Sequence, residues 1–180
     1  MTWRMRGRLT GSALLLAGFV AANLGGPAGI AAARTGMIPE PEVAGLHAGL
    51  SVAQMQARAH LNQFFDAVVG EDGVARKGAA LRIALMGDNG RIEEVWVTPF
   101  ARRDGYLIGV LSDEPQRIAA RRSGDLVNFQ SDDVRDWSFF GEDGRMYGNY
   151  TTRLMLSAVA PAQAAEIAAL LSETPAPADW

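Results

Sequence analysis

From Val52 to about Val69, apolar residues recur near helical spacing through Met55, Leu61, Phe64, Phe65 and Val68. That period predicts an amphipathic helix, whose apolar face needs a sheet to pack on. Ser51 precedes it with Gln54 three residues on, the spacing of a capping box. The period then shortens. Leu81, Ile83 and Leu85 alternate loosely from Ala79 to Met86, and Arg91 to Val97 follows with Ile92, Val95, Trp96 and Val97. Asp88-Asn89-Gly90 lies between the two runs, and Asn-Gly accepts the positive φ of a tight hairpin turn. Pro99 is expected to limit the second strand. Tyr106 to Leu111 is nearly continuous in apolar residues and reads as a central third strand. Pro115 suits a first helical turn, so Pro115 to Arg121 predicts a short helix. Leu126 to Gln130 alternates again.

The richest stretch is Asp132 to Arg153, DDVRDWSFFGEDGRMYGNYTTR. Gly141 and Asp143-Gly144 supply a tight turn, so Trp137–Phe140 and Arg145–Tyr147 predict a hairpin. Trp137 and Phe139 stand two positions apart in a strand and share a face. Gly148 permits a sharp exit into Asn149-Tyr150-Thr151-Thr152-Arg153. Thr151 to Val159 is open between strand and short helix. Pro161 to Leu171 is Ala-rich, with Ile167, Leu170 and Leu171 on one side, and predicts a helix. The order of elements gives an α+β fold: a small antiparallel sheet packed by an N-terminal amphipathic helix, with a C-terminal helix.

These motifs carry a resemblance. Asp133-Val134-x-Asp136-Trp137 is followed by Gly144-x-Met146-x-Gly148-x-Tyr150-Thr151-Thr152-Arg153. Upstream stand Val95-Trp96-Val97-x-Pro99, Gly109-Val110-Leu111-x-Asp113-Glu114-Pro115 and Gly124-Asp125-x-Val127-x-Phe129. In this order, over about Val52 to Leu156, they resemble the domain of unknown function 2314 family, the YegJ-like proteins. The resemblance implies a small bacterial α+β domain and no assigned activity. Three positions depart from the family's pattern: Asp113 stands where Asn is common, Arg121-Arg122-Ser123 where a Lys is common, and Asn149 where Gly is common.

The N-terminus changes the picture of the compartment. Arg4, Arg6 and Arg8 precede an apolar run from Gly11 to Ala22, and Ala31-Ala32-Ala33 offers a small-x-small cleavage site. This is the pattern of a secretory signal peptide. The alternative is an uncleaved anchor, which Gly25-Gly26-Pro27 disfavours as a continuous spanning helix. The expected organisation is a signal peptide over 1–33, an irregular lead-in over 34–50, one domain over 51–172 and a disordered tail over 173–180. The expected location is periplasmic or secreted. Residues 1–33 hold three of the 17 basic residues and none of the 20 acidic ones, so the remainder holds 14 basic and 20 acidic residues and a net charge of −6. An acidic chain disfavours nucleic acid as a partner. A membrane is a partner only if the leader stays uncleaved.

Candidate chemistry is sparse. The chain has no cysteine, which removes disulfides, thiolate metal sites and cysteine nucleophiles. His47 and His60 are its two histidines and lack a third ligand at useful spacing. No serine sits in a nucleophile elbow and no glycine run forms a phosphate loop. No cofactor is expected. The candidate binding residues are Trp96, Asp133, Asp136, Trp137, Tyr150, Thr152 and Arg153, an aromatic and cationic group of the kind enriched at binding hot spots. The favoured reading is a non-catalytic binding or interaction module for a small molecule or protein. The alternative is a hydrolase or transferase using Asp133 or Asp136 with Arg153. Arg153 is expected to pair with Asp136 or Asp133 if it is structural, and to face solvent if it is functional.

Overall fold

The computed structural model describes residues 40–180. The expected signal segment at 1–33 and the first part of the lead-in lie outside the described residues. Among the described residues no helix is long and apolar enough to cross a membrane.

Among the described residues the first elements are helix α1 (Glu40–Ala59) and helix α2 (Leu61–Val68). Six strands follow: β1 (Ala80–Met86), β2 (Ile92–Arg103), β3 (Tyr106–Leu111), β4 (Leu126–Phe129), β5 (Val134–Phe140) and β6 (Met146–Gly148). Helices α3 (Tyr150–Met155) and α4 (Pro161–Ala168) close the chain. The strands form one sheet in the order β4-β3-β2-β1-β5-β6, and every neighbouring pair is antiparallel. The expected α+β architecture is therefore the observed one.

The core lies between α1–α2 and one face of the sheet. Ala53 and Ala57 of α1 and Leu61, Phe64, Phe65 and Val68 of α2 are buried. They pack on Leu81, Ile83, Val95, Val97, Phe100, Trp137 and Phe139. The register explains this choice of face. Leu81 stands opposite both Val97 and Trp137, while its neighbour Arg82 stands opposite Trp96 and Asp136. Period-two alternation thus sends Trp137 to the helical side and Trp96 with Asp136 to the other.

Several local expectations are corrected. Among the described residues the helix spans Glu40–Ala59, so residues 40–50 of the lead-in are helical. Ser51 is consequently inside the helix, and its hydroxyl donates to the His47 carbonyl instead of capping. Val52 and Met55 are exposed, and the small Ala53 and Ala57 form the buried stripe. One continuous helix to Val69 is also replaced by two, broken at His60. There the Trp137 indole N–H donates to the Ala57 carbonyl at 2.7 Å, inserting a side chain into the helical ladder.

Strand β2 does not stop at Pro99. Its pairing with β3 shifts between Val97 and Phe100, and a bulge accommodates a residue that has no N–H to give the ladder. Strand β3 is not central; β2 and β1 are. Its apolar continuity reflects an uncovered outer surface, where Tyr106 and Ile108 are exposed. Pro115 to Arg121 forms no helix. Carboxylates take its backbone amides instead: Glu93 accepts from Gln116 and Arg117, and Asp88 accepts from Ala119. The segment after β6 is helix α3 and not strand, and the last helix stops at Ala168.

The tail, expected to be disordered, is packed. Ser172 N–H donates to Met146 O, and Gly148 N–H donates to Pro175 O, so the tail takes up hydrogen bonds on the open side of β6. Trp180 then returns to lie 5.5 Å from the Trp137 ring and 5.6 Å from the Phe139 ring.

Candidate functional site

Three places in the structure bear on function, and the third of them holds none of the sequence candidates. The first is the interior around Asp136, which is 0 % exposed. Oδ1 accepts from the backbone N–H of Trp137 at 2.8 Å and of Tyr150 at 3.2 Å. Oδ2 accepts from the Thr151 N–H at 2.8 Å and the Thr151 hydroxyl at 2.7 Å. Asn149, at the N-cap of α3, adopts a left-handed conformation and makes no side-chain cap. Asp136 on the neighbouring strand does that work, satisfying the first amides of the helix. Gly148 makes the approach possible: a Cβ there would lie 2.0 Å from the Trp137 carbonyl oxygen. Asn149, the departure from the family's glycine, holds φ +57, a region that Asn tolerates better than most residues.

The Asp136 cluster extends into a chain of polar contacts. Arg82 Nη1 donates to Thr151 Oγ1 at 3.1 Å. Arg82 Nε lies 3.1 Å from Glu94 Oε2, and Glu94 Oε1 accepts from Gln54 Nε2 at 2.7 Å. One connected network thereby links β5, α3, β1, β2 and α1. Burial pushes the Asp136 carboxyl above the usual aspartate range, against the pull of Thr151, the Trp137 amide and Arg82. Burial likewise raises Asp113, with the Trp96 backbone and Arg82 pulling the other way.

Trp137 and Tyr150 belong to the helix-covered core. Trp137 is 0 % exposed and stacks on Phe64 at 5.0 Å. Tyr150 meets it edge-on at 5.5 Å. The Tyr150 hydroxyl lies 3.1 Å from His60 Nδ1, and its pKa is pushed up to about 12 by burial and then by the Asp136 charge. Thr152 is buried beside them. Trp96, 2 % exposed, is buried on the opposite sheet face from Trp137. Asp133 accepts from the Gln130 N–H and closes a short 3-10 turn. These residues do not make an accessible patch.

Arg153 occupies the second place, and the expected pairing with Asp136 or Asp133 is not formed. Its Nε donates to Gly148 O at 2.8 Å, Nη1 to Ser172 O at 2.8 Å, and Nη2 to Met146 O at 3.2 Å and Ser172 Oγ at 2.8 Å. The guanidinium stitches β6 to the tail through carbonyl and hydroxyl oxygens. Burial lowers its pKa.

The third place was not singled out in the sequence. A hollow of about 450 Å³ lies among Arg76, Phe139, Tyr147, Trp180 and the carboxylates Glu142, Asp143 and Asp179. Phe139 stacks with Tyr147, at 5.5 Å and 18°, and with Trp180, at 5.6 Å and 17°. The Arg76 guanidinium sits 5.2 Å from the Phe139 centroid and donates to Phe140 O. The Tyr147 hydroxyl donates to Asp143 Oδ2 at 3.1 Å, and that bond raises its pKa. Gly141 keeps the rim open, because a Cβ there would come within 2.6 Å of the Tyr147 ring. Two signals were present in the sequence: the Gly-Glu-Asp-Gly turn and the terminal Trp180. Their meeting depends on the path of the tail.

With this geometry in place, comparison with known proteins defines the class. The profile of the family described as "Uncharacterized protein conserved in bacteria (DUF2314)" matches residues 48–170, and the chain belongs to that family. It is similar to Uncharacterized protein YegJ of Escherichia coli (strain K12), with 31% identity over 84 residues, 47% of this chain and 54% of that protein. The chain thus spans about half the length of the curated relative it matches. No solved structure matches.

Proposed function

We propose that this chain is an exported, non-catalytic binding module whose contact surface is the hollow at the β5–β6 turn. The carrying observation is the contrast in availability. Of the two carboxylates on which a hydrolase or transferase would draw, Asp136 has all its strong acceptor positions filled by protein donors, and Asp133 accepts from the Gln130 N–H in a 3-10 turn. The Arg153 fork is engaged elsewhere. The hollow instead offers Tyr147 and Trp180 as partly exposed rings beside free carboxylates. Concave sites with aromatic walls and a few polar groups are the usual form of a ligand site.

Export rests on the basic, apolar and small-residue order of residues 1–33. N-terminal sequencing of the protein expressed in a bacterium tests it. A start near Arg34 is expected, and an intact Met1 in the membrane fraction would contradict cleavage. Binding is tested by screening small aromatic and aliphatic fragments against the full chain by Trp fluorescence and amide chemical shifts. Shifts concentrated at Gly141–Tyr147 and Pro177–Trp180 are expected. Shifts confined to other surfaces would remove the hollow from consideration.

A further inference from the structure

We propose that the hollow takes a small organic cation: an ammonium group carried on a flat apolar body. This rests on the binding reading above and adds the chemical class of the ligand. The charge of the lining carries it first. Glu142, Asp143 and Asp179 share the hollow with one guanidinium, that of Arg76. None of the three carboxylates is in an ion pair among the described residues, where the ion pairs are Arg58–Asp132 and Arg82–Glu94. Glu142 and Asp179 also make no hydrogen bond there, and both are exposed at the rim.

Arg76 does not reverse the sign. Its guanidinium is held over the Phe139 ring and donates to the Phe140 carbonyl, so it serves as part of the wall. It also illustrates the chemistry: a cation already rests on one ring of this aromatic group. The neighbouring rings, Tyr147 and Trp180, are partly exposed. Their faces carry the negative side of the ring quadrupole and attract a second cation, Trp most strongly. Rings and carboxylates therefore favour the same charge. An anion would meet three like charges for one guanidinium already engaged. The size is also suitable, since about 450 Å³ lies within the range of small-molecule sites.

The test uses three probes that share a phenethyl body on the full chain: phenethylammonium, the neutral 3-phenylpropanamide and the anionic 3-phenylpropionate. Titrations follow Trp fluorescence and heat at low ionic strength, then at 0.5 M salt. The cation is expected to bind saturably, roughly fivefold or more tighter than the amide, as a ring-and-carboxylate site implies. The anion should bind more weakly still. Salt should erode the preference, because exposed charges are screened. The double variant Glu142→Gln/Asp179→Asn removes two free charges and no hydrogen bond, so it should fold normally and lose most of the preference for the cation over the amide. Equal or tighter binding of the amide or the anion would overturn the cation proposal and leave the binding reading standing. Absence of saturable binding by all three probes would overturn the cation proposal and count against the hollow as a binding surface as well. A cation preference unchanged in the double variant would also overturn it, by showing that these carboxylates are not its source.

Discussion

Asp136 and Asp143 stand on the same hairpin in opposite circumstances. Asp136 is sealed inside, with Trp137, Tyr150 and Thr151 donating to it, and burial raises its pKa. Asp143 stands at the turn beside an open hollow, where it organises the Arg145 amide and the Tyr147 hydroxyl. A perturbed carboxylate is often taken as the mark of a functional site. Here the perturbed one holds the fold together, and the accessible ones border the space a ligand can enter. Free valence and access, more than the size of a titration shift, separate the two.

The largest way to break this contrast lies in the interior. Trp137→Ala removes a fully buried ring and the donor to Ala57 O, and should cost ~3–5 kcal/mol in a denaturant titration. A loss below about 1 kcal/mol would mean that the ring is not part of the core. Asp136→Asn comes next. One amide oxygen can still accept, but the new NH2 group faces the Thr151 N–H, leaving a buried donor without an acceptor. A loss of about 2–3 kcal/mol is expected, and an unchanged melting temperature would refute the capping role. Arg153→Ala removes the donors to the Gly148 and Ser172 carbonyls, while Met146 O keeps the Ser172 N–H, and should cost about 2 kcal/mol. Arg153→Lys should recover only part, because an ammonium cannot span the Gly148, Met146 and Ser172 oxygens as the planar fork does.

Two smaller effects sharpen the comparison. The folded-state pKa of Tyr150, about 12, exceeds the ordinary tyrosine value of 10.0. The unfolded chain therefore loses this proton first. The Tyr150 contribution is fully present below pH 10 and is lost as pH climbs towards 12. In Tyr150→Phe the alkaline decline should be shallower than in the parent protein. At the hollow, Glu142→Gln/Asp179→Asn should change stability by less than about 0.5 kcal/mol, as surface substitutions without partners do.

Legibility in the sequence followed the range of the interactions. The hairpin at Asn89-Gly90, the strand from Ala80, the turn at Asp143-Gly144 and the sharp exit at Gly148 were all readable, because local backbone preference decides them. The break at His60 was not, since its cause is Trp137, distant in sequence and reaching Ala57 O. Helix α3 was ambiguous because Thr151 and Thr152 favour strand, and the Asp136 carboxylate on another element overrides that preference. The tail was misread from its Pro-rich composition. The segment bends at 173–176 and turns at 178–179, and its Pro175 carbonyl accepts from the Gly148 N–H at the end of β6. The family resemblance, confirmed over residues 48–170, supported the fold and could not locate the hollow, because the tail and Trp180 lie beyond the matched segment. Of the seven sequence candidates, Trp96, Asp136, Trp137, Tyr150 and Thr152 turned out buried. The residues that pack best are also those that look most like a hot spot in a one-dimensional reading.

The most direct measurement is an amide chemical-shift map of the full chain titrated with phenethylammonium. Shifts are expected at Gly141 to Tyr147 and at Asp179 and Trp180, with Tyr150 and Thr151 unmoved because their amides stay bonded to Asp136. Saturable shifts at Tyr150 and Thr151 with a silent β5–β6 turn would contradict the division between a structural Asp136 and a binding hollow.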